Sequence, residues 1–256
     1  KYNGKTIQEL IELLDIDAKT INKVFGYEFI PTFDVQLGTS IENVKLSGDE
    51  EIFISQKLNG TRCVYYNGKL WTRSGKQYTG CEHIINDIHK LCSEGLCCDP
   101  HYMVFDGELV LKSCGLSDSE AFQKGTGIAN SDNETKEELE YMIFDVMSSE
   151  EFKEKKCLNK YKYRKIFLEK FGESIKELGI TNLRIVPFFY EGTDHTKIWE
   201  YLDYAENNDM EGIIINELKK VAINGPKEEH LTKVKEALVK QHAESVKENS
   251  YWLGAL

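Results

Sequence analysis

The dipeptide Asn67-Gly68, set between Arg62–Tyr66 and Lys69–Arg73, constrains the fold of this chain more than any other feature. Both central positions of a two-residue type I′ turn need positive φ, so the flanking runs are predicted to fold back as an antiparallel hairpin. Residues 52–56, 103–111, 141–146, 183–190 and 213–216 also read as strands. Apolar residues at helical spacing mark 6–24 (Ile7, Leu10, Ile11, Leu14), 82–92 (Ile84, Ile85, Ile88, Leu91), 151–171 and 196–207. A loop containing Gly26 and Pro31 follows the first helix. Hairpins and helices mix without a βαβ rhythm, which predicts an α+β fold with mainly antiparallel sheets flanked by helices. There is no internal repeat and no low-complexity segment.

A chain of 256 residues can bury a sizeable core, as one large domain or one domain with a small appendage. Its 29% charged residues and near-average hydrophobic content exclude a largely disordered chain. No apolar run approaches bilayer length and the start lacks the apolar core of a signal peptide, so neither a membrane nor secretion is expected. The first residue is Lys1 rather than Met, so the start is expected to be trimmed. Seven scattered cysteines suit reduced thiols in a cytoplasm, and on that basis the glycosylation sequons at Asn59 and Asn133 stay unused. A net charge of -11 leaves phosphate binding to local Lys and Arg, and predicts weak, salt-sensitive non-specific affinity for nucleic acid.

The chemistry begins at Lys57-Leu58-Asn59-Gly60-Thr61-Arg62, directly after the apolar run Ile52-Phe53-Ile54. A lysine at a strand end, beside a glycine that lets another molecule approach, suits a nucleophile for phosphorus. It must lose its proton to attack, which calls for nearby cations or desolvation. Arg62, Arg73 and the lysines near the C-terminus are candidate cations. Alone, such a hexapeptide favours a solvated turn. Phe105-Asp106-Gly107-Glu108-Leu109-Val110 then places a carboxylate in an apolar strand, where it needs a metal or a ribose hydroxyl unless Glu108 faces water from an edge. Met210-Glu211-Gly212-Ile213-Ile214-Ile215 repeats the pattern, and two such carboxylates suit a divalent metal and phosphate. Phe144, at the end of the strand from Tyr141, could stack on a purine or be ordinary core. Arg73, within Thr72-Arg73-Ser74-Gly75, could hold a ribose or phosphate or be a plain surface arginine.

In order, Lys57–Arg62, Thr72–Gly75, Phe105–Glu108, Tyr141–Asp145 and Glu211–Ile214 resemble the successive motifs of ATP-dependent DNA ligases, over roughly residues 30–216. The Phe-Asp-Gly-Glu-Leu-Val form looks more like these than like RNA-capping guanylyltransferases. Pro31 to Leu37 resembles the segment near adenine, and the small size looks like a phage or prophage ligase. The resemblance implies an ATP-grasp-like nucleotidyltransferase (adenylation) domain. It implies that Lys57 attacks the α-phosphate of ATP to become lysyl-AMP, which Mg²⁺ assists. Arg62 and Arg73 would contact the ribose and the 5′-phosphate of a nick. Glu108 and Glu211 would bind ribose or metal, Phe144 would stack on adenine, and Ile214 would cover its other face. Lys233 and Lys235, in Lys233-Val234-Lys235, would stand for the final Lys-x-Lys strand. The implied partner is nicked duplex DNA, met by a monomer in the cytoplasm of a bacterial or phage-infected cell.

The chain departs from that family at two places. Asn59 stands where the family has Asp, which removes a negative charge and any ion pair or metal role there. From Gly225-Pro226 onward, Leu231, Val234, Leu238 and Val239 read as a capped amphipathic helix, which would turn the two lysines in different directions from a strand. The expected organisation is therefore an adenylation domain over 1–222 and a C-terminal helical segment over 223–256. That segment also resembles a helical piece of insulinase-type zinc peptidases through Asn224-Gly225-Pro226 and Lys247 to Leu253, although the chain has no His-x-x-Glu-His. No C-terminal oligonucleotide-binding barrel is expected, and unless one is supplied AMP loading and nick closure should be slow. Cys92, Cys97, Cys98 and His101 are too irregularly spaced for zinc and read as ordinary thiols and a histidine. The competing functions are an RNA ligase or capping-type nucleotidyltransferase, and an inactive nucleotide-binding relative.

Overall fold

The computed structural model describes residues 50–217 except 97, 113, 114, 133, 155 and 158, together with 20, 22, 23, 39–40 and 234–238. Among the described residues ten strands make two five-stranded sheets. The first sheet is built from β1 (Thr39–Ser40), β10 (Val234–Leu238), β9 (Gly212–Glu217), β2 (Ile52–Lys57) and β8 (Phe188–Gly192), in that spatial order. The second runs β4 (Lys69–Trp71), β3 (Thr61–Tyr66), β5 (Met103–Leu111), β6 (Leu139–Ser148) and β7 (Leu183–Ile185). All pairings are antiparallel except β1 with β10 and β6 with β7. The helices are α1 (Glu82–Lys90), α2 (Asp118–Ala129), α3 (Ser149–Lys153), α4 (Tyr161–Glu177) and α5 (Lys197–Asn207). This is the α+β architecture with mainly antiparallel sheets that the pattern predicts.

The hairpin forms as predicted, with Asn67 at φ 51° and Gly68 at φ 76° joining β3 to β4. Each sheet buries one oily face by strand alternation. In the first, Ile52, Ile54, Ile213 and Ile215 are fully buried and pack on Ile198, Leu202 and Ala205 of α5. In the second, Cys63, Tyr65, Phe105, Leu109, Tyr141 and Ile143 pack on Ile84 and Ile88 of α1 and on Leu168 and Phe171 of α4. The two remaining faces line one cleft.

Three expectations differ from the structure, and one helix was not expected. The strand over 183–190 is two strands in different sheets, because Pro187 offers no N–H to continue a ladder while its carbonyl accepts from Gln56 N at 3.1 Å. The helix over 151–171 is two helices. A Ser148–Glu151 capping box starts the first, and Arg164 donates to the Asn159 carbonyl at 2.6 Å to close the loop before the second. Helix α2 has no counterpart in the apolar pattern, since Gly125, Thr126 and Gly127 weaken both propensity and periodicity; the Ser117–Glu120 capping box is its signal. Residues 234–238 are a strand rather than the expected helix. Val234 and Leu238 suit either period, and the edge of β9 decides by offering backbone partners from Val234↔Asn216 to Leu238↔Gly212.

Apart from the helical residues 20, 22 and 23, the helix over 6–24 lies outside the described residues, as do the 26–31 loop, Pro31–Leu37, residues 223–233 and residues 239–256. Among the described residues no helix is long and apolar enough to cross a membrane. Cys63, Cys81, Cys92, Cys98 and Cys157 are free thiols.

Candidate active site

Alternation that buries four isoleucines on one side of β2 and β9 turns Phe53, Ser55 and Lys57 toward the other side, opposite Asn216, Ile214 and Gly212 in register. That side is one wall of the cleft. The other wall comes from β3, β5 and β6, where Arg62 lies opposite Glu108, and Val64 opposite Asp106. The β5–β6 register shifts between Asp106 and Gly107, leaving Phe144 as an extra, bulged residue. Bulges re-aim side chains, and here one presents Phe144 to the cleft. The cleft thus brings together Lys57, Arg62, Glu108, Phe144, Glu211 and Ile214.

The turn from β2 to β3 permits this closeness. A Cβ on Gly60 would meet Val110 Cγ1 at 2.7 Å, the Leu109 carbonyl at 2.8 Å and Glu108 Oε2 at 2.9 Å. Only glycine lets the lysine-bearing turn lie against β5.

Lys57 Nζ pairs with Glu211 Oε1, the lysine side chain being 13% exposed. Arg62 donates through Nε and Nη2 to the two oxygens of Asp106, both at 2.6 Å, and its guanidinium sits 4.6 Å from the centre of the Phe144 ring. Burial pushes the Glu108 carboxyl up to about 7, against the pull of Arg62 and with Glu211 adding to the rise. Among the described residues Glu108 Oε2 is buried and meets no hydrogen-bond donor. Asp145 is held by Arg164 Nε and Nη2 at 2.6 and 2.9 Å.

Other expected residues lie elsewhere. Arg73 is exposed and lines a separate, shallow hollow with Thr61, Arg62, Thr72, Ser74, Tyr78 and Asn130, sharing only Arg62 with the main cleft. Lys235 takes its place in β10 opposite Ile215, and Lys233 lies outside the described residues. Asn59 donates from Nδ2 to Asp118 Oδ2 at 2.9 Å, so a carboxylate from the first turn of α2 stands beside the amide.

Several cleft residues escaped the sequence. Asp106 precedes Glu108 by two and so shares its strand face, a signal that was available. Asn216 follows Ile214 by the same step. Ser55 precedes Lys57 by that step too, whereas Tyr161 and Phe122 reach the cleft only through tertiary packing.

No three His, Cys, Asp or Glu side chains converge on a metal position among the described residues. Glu108, with an unpartnered buried oxygen, and Glu211 fit the pair of carboxylates with which Mg²⁺ is held when phosphate oxygens and water complete its shell.

The profile of the ATP-dependent DNA ligase domain matches residues 35–235. No curated protein sequence matches significantly. Among solved structures, one described as Pmar-Lig superposes with a TM-score of 0.61 at 20% identity, over 86% of this chain and 49% of its own. A structure from work on Lig E DNA ligases gives 0.52 at 16% identity, over 82% and 69%. An archaeal ATP-dependent RNA ligase gives 0.50 at 11% identity, over 82% and 48%. The chain therefore spans about half the length of Pmar-Lig. These likenesses establish the fold, and the profile match over residues 35–235 places the chain in the ATP-dependent DNA ligase domain family.

Proposed function

We propose that this chain is the adenylating domain of a ligase that uses ATP to seal nicked duplex DNA. The observation that carries the proposal is Lys57 Nζ held against Glu211 in a cleft with Phe144 on one wall and Ile214 on the other. Nζ gives up a proton, for which Glu211 is the neighbouring acceptor, and attacks the α-phosphorus. A P–N bond forms, the α–β phosphoanhydride bond breaks, and pyrophosphate leaves with the electron pair. Phe144 and Ile214 flank the adenine, and Glu108 accepts from the ribose. Glu108 and Glu211 would hold Mg²⁺, which when bound would supply charge neutralisation at the phosphates.

A 5′-phosphate oxygen at the nick then displaces Nζ from phosphorus, and Nζ recovers a proton. Finally the 3′-hydroxyl attacks the activated 5′-phosphate and expels AMP. Arg73, in the hollow beside Arg62, would meet the 5′-phosphate. Fixing these groups and neutralising charge is most of what such a reaction asks of a protein. The family match supports ATP as donor and DNA as acceptor over the RNA-ligase alternative. The free thiols support a reducing cytoplasm as the compartment, and the proposed enzyme acts as a monomer.

Intact mass after incubation with ATP and Mg²⁺ tests the proposal. Wild type is expected to gain one AMP and Lys57→Ala none. The adduct should then discharge onto nicked DNA in preference to nicked RNA. No gain on wild type would overturn the proposal in favour of an inactive nucleotide-binding relative, and loading from GTP alone would favour a capping-type enzyme.

A further inference from the structure

The cleft has two chemically different ends. One holds Lys57, Glu211 and Glu108. The other lies four residues along β9, about 13 Å away at strand rise, where Asn216 follows Ile214 on the cleft-facing side. Asn216 is only 3% exposed, and among the described residues its Oδ1 meets no hydrogen-bond donor. Buried amides are nearly always bonded, so an open acceptor here calls for a reason.

Neighbouring groups do not supply one. Phe53, across the ladder from Asn216, is fully buried and packs edge-on against Tyr161, with ring centres 5.6 Å apart. Asp145 is already occupied by two bonds from Arg164. Asn216 therefore closes the end of the cleft with an amide whose acceptor is left for something that enters.

We propose that Asn216 reads the base of the nucleotide and selects adenine over guanine. The proposal rests on the nucleotidyl-transfer function above and adds the group that sets base specificity. A ring between Phe144 and Ile214, with its phosphates at Lys57, points its far edge along β9 toward Asn216. An amide carries an acceptor and a donor side by side. Adenine answers with its N6 amino donor next to the N7 acceptor, whereas guanine offers two acceptors, O6 and N7, on the same edge. Asn216 Oδ1 then accepts from N6 while Nδ2 donates to the ring nitrogen. With guanine one of those bonds is lost and Oδ1 stays buried and unpaired.

Label transfer from α-labelled ATP and GTP to wild type, Asn216→Leu and Asn216→Asp, compared as kcat/KM, tests this. A two-bond contact is worth roughly 5- to 150-fold in discrimination, so wild type should prefer ATP by that order. Asn216→Leu should lose most of the preference, chiefly by slower use of ATP. Asn216→Asp, with two acceptors and no donor, keeps the bond from N6 but faces N7 unpaired, so ATP use should slow, while guanine, which offers only acceptors on that edge, should be used no better than by wild type. Thermal unfolding of the ligand-free proteins separates a structural role. Removing an unpaired buried acceptor should leave Asn216→Leu at least as stable as wild type, whereas a structural amide would lower its Tm and slow both nucleotides alike.

An unchanged ATP:GTP ratio in Asn216→Leu, or a gain in GTP use by Asn216→Asp, would overturn the proposal and leave lysine adenylation standing. If wild type takes label from neither nucleotide, the transfer function falls, and calorimetric titration with adenosine judges the base contact alone. Weaker adenosine binding by Asn216→Leu than by wild type supports it. Equal binding, or none to wild type, overturns it.

Discussion

The two walls of the cleft solve opposite problems. The β2–β9 wall is nearly neutral, with one lysine at its end and a surface of Ser55, Ile214 and Asn216 behind it. The β3–β5–β6 wall carries Arg62, Asp106 and Glu108 on strands whose other face is the main core. Charges on that wall are tolerated because they are paired with each other. Arg62 and Asp106 make a two-pronged ion pair capped by Phe144, and among the described residues Glu108 keeps one buried oxygen without a donor. One wall can shape a ligand by contact, while the other must be electrostatically complete before any ligand arrives.

The largest expected effect comes from breaking the charged wall. Asp106→Ala takes both Asp106 bonds from the largely buried Arg62 guanidinium, at a cost of about 3 kcal/mol. In a domain of this size that lowers Tm by roughly 6–12 °C, which calorimetry would register. Arg62→Met in the same background should recover part of the loss, since the buried charge that lost Asp106 then disappears.

Glu108 tests the open oxygen on that wall. Its folded value of about 7 lies above the ordinary 4.5, so the folded protein holds a proton that the unfolded chain releases between those values. Stability should therefore be highest below pH 4.5 as far as this group is concerned, fall as pH rises toward 7, and level off above it. The full shift corresponds to a loss of about 3 kcal/mol at most. Glu108→Gln should flatten that part of the profile in urea titrations across the window. A slope that survives the substitution would assign it to another group.

Gly60→Ala addresses the junction between the walls. Its Cβ would press on the Leu109 carbonyl and Val110, costing about 1–3 kcal/mol. AMP loading should fall along with stability, because the turn that carries Lys57 must back away from β5. A variant that loses stability but loads AMP at the wild-type rate would separate the turn from the chemistry.

The smallest effect belongs to the rim. Asn59→Asp would set a second carboxylate against Asp118, destabilising by about 0.5–1 kcal/mol at low salt and less at high salt. Asp118→Asn in that background should restore the lost stability. Persistence of the loss in the double variant would place its origin outside the pair.

Legibility in the sequence followed this same division. Residues that violate a local rule were visible: Glu108 and Glu211 are charges beside glycines in apolar strands, and Lys57 ends such a strand. Residues that obey local rules while doing something unusual were not. Asn216 is an unremarked polar residue at a strand end until its burial is known. Asp118 sits at the start of a helix whose apolar pattern is too weak to announce it. The change of sheet at Pro187 and the bulge at Phe144 depend on which strands become neighbours, and that is decided by the whole fold rather than by any window of it.

The two open acceptors, Glu108 Oε2 at one end of the cleft and Asn216 Oδ1 at the other, have a pharmacological consequence. An inhibitor need not imitate a triphosphate. A flat heteroaromatic core between Phe144 and Ile214, with a hydrogen-bond donor toward each acceptor, would satisfy both atoms while remaining uncharged. Such a scaffold could enter cells that exclude nucleotides.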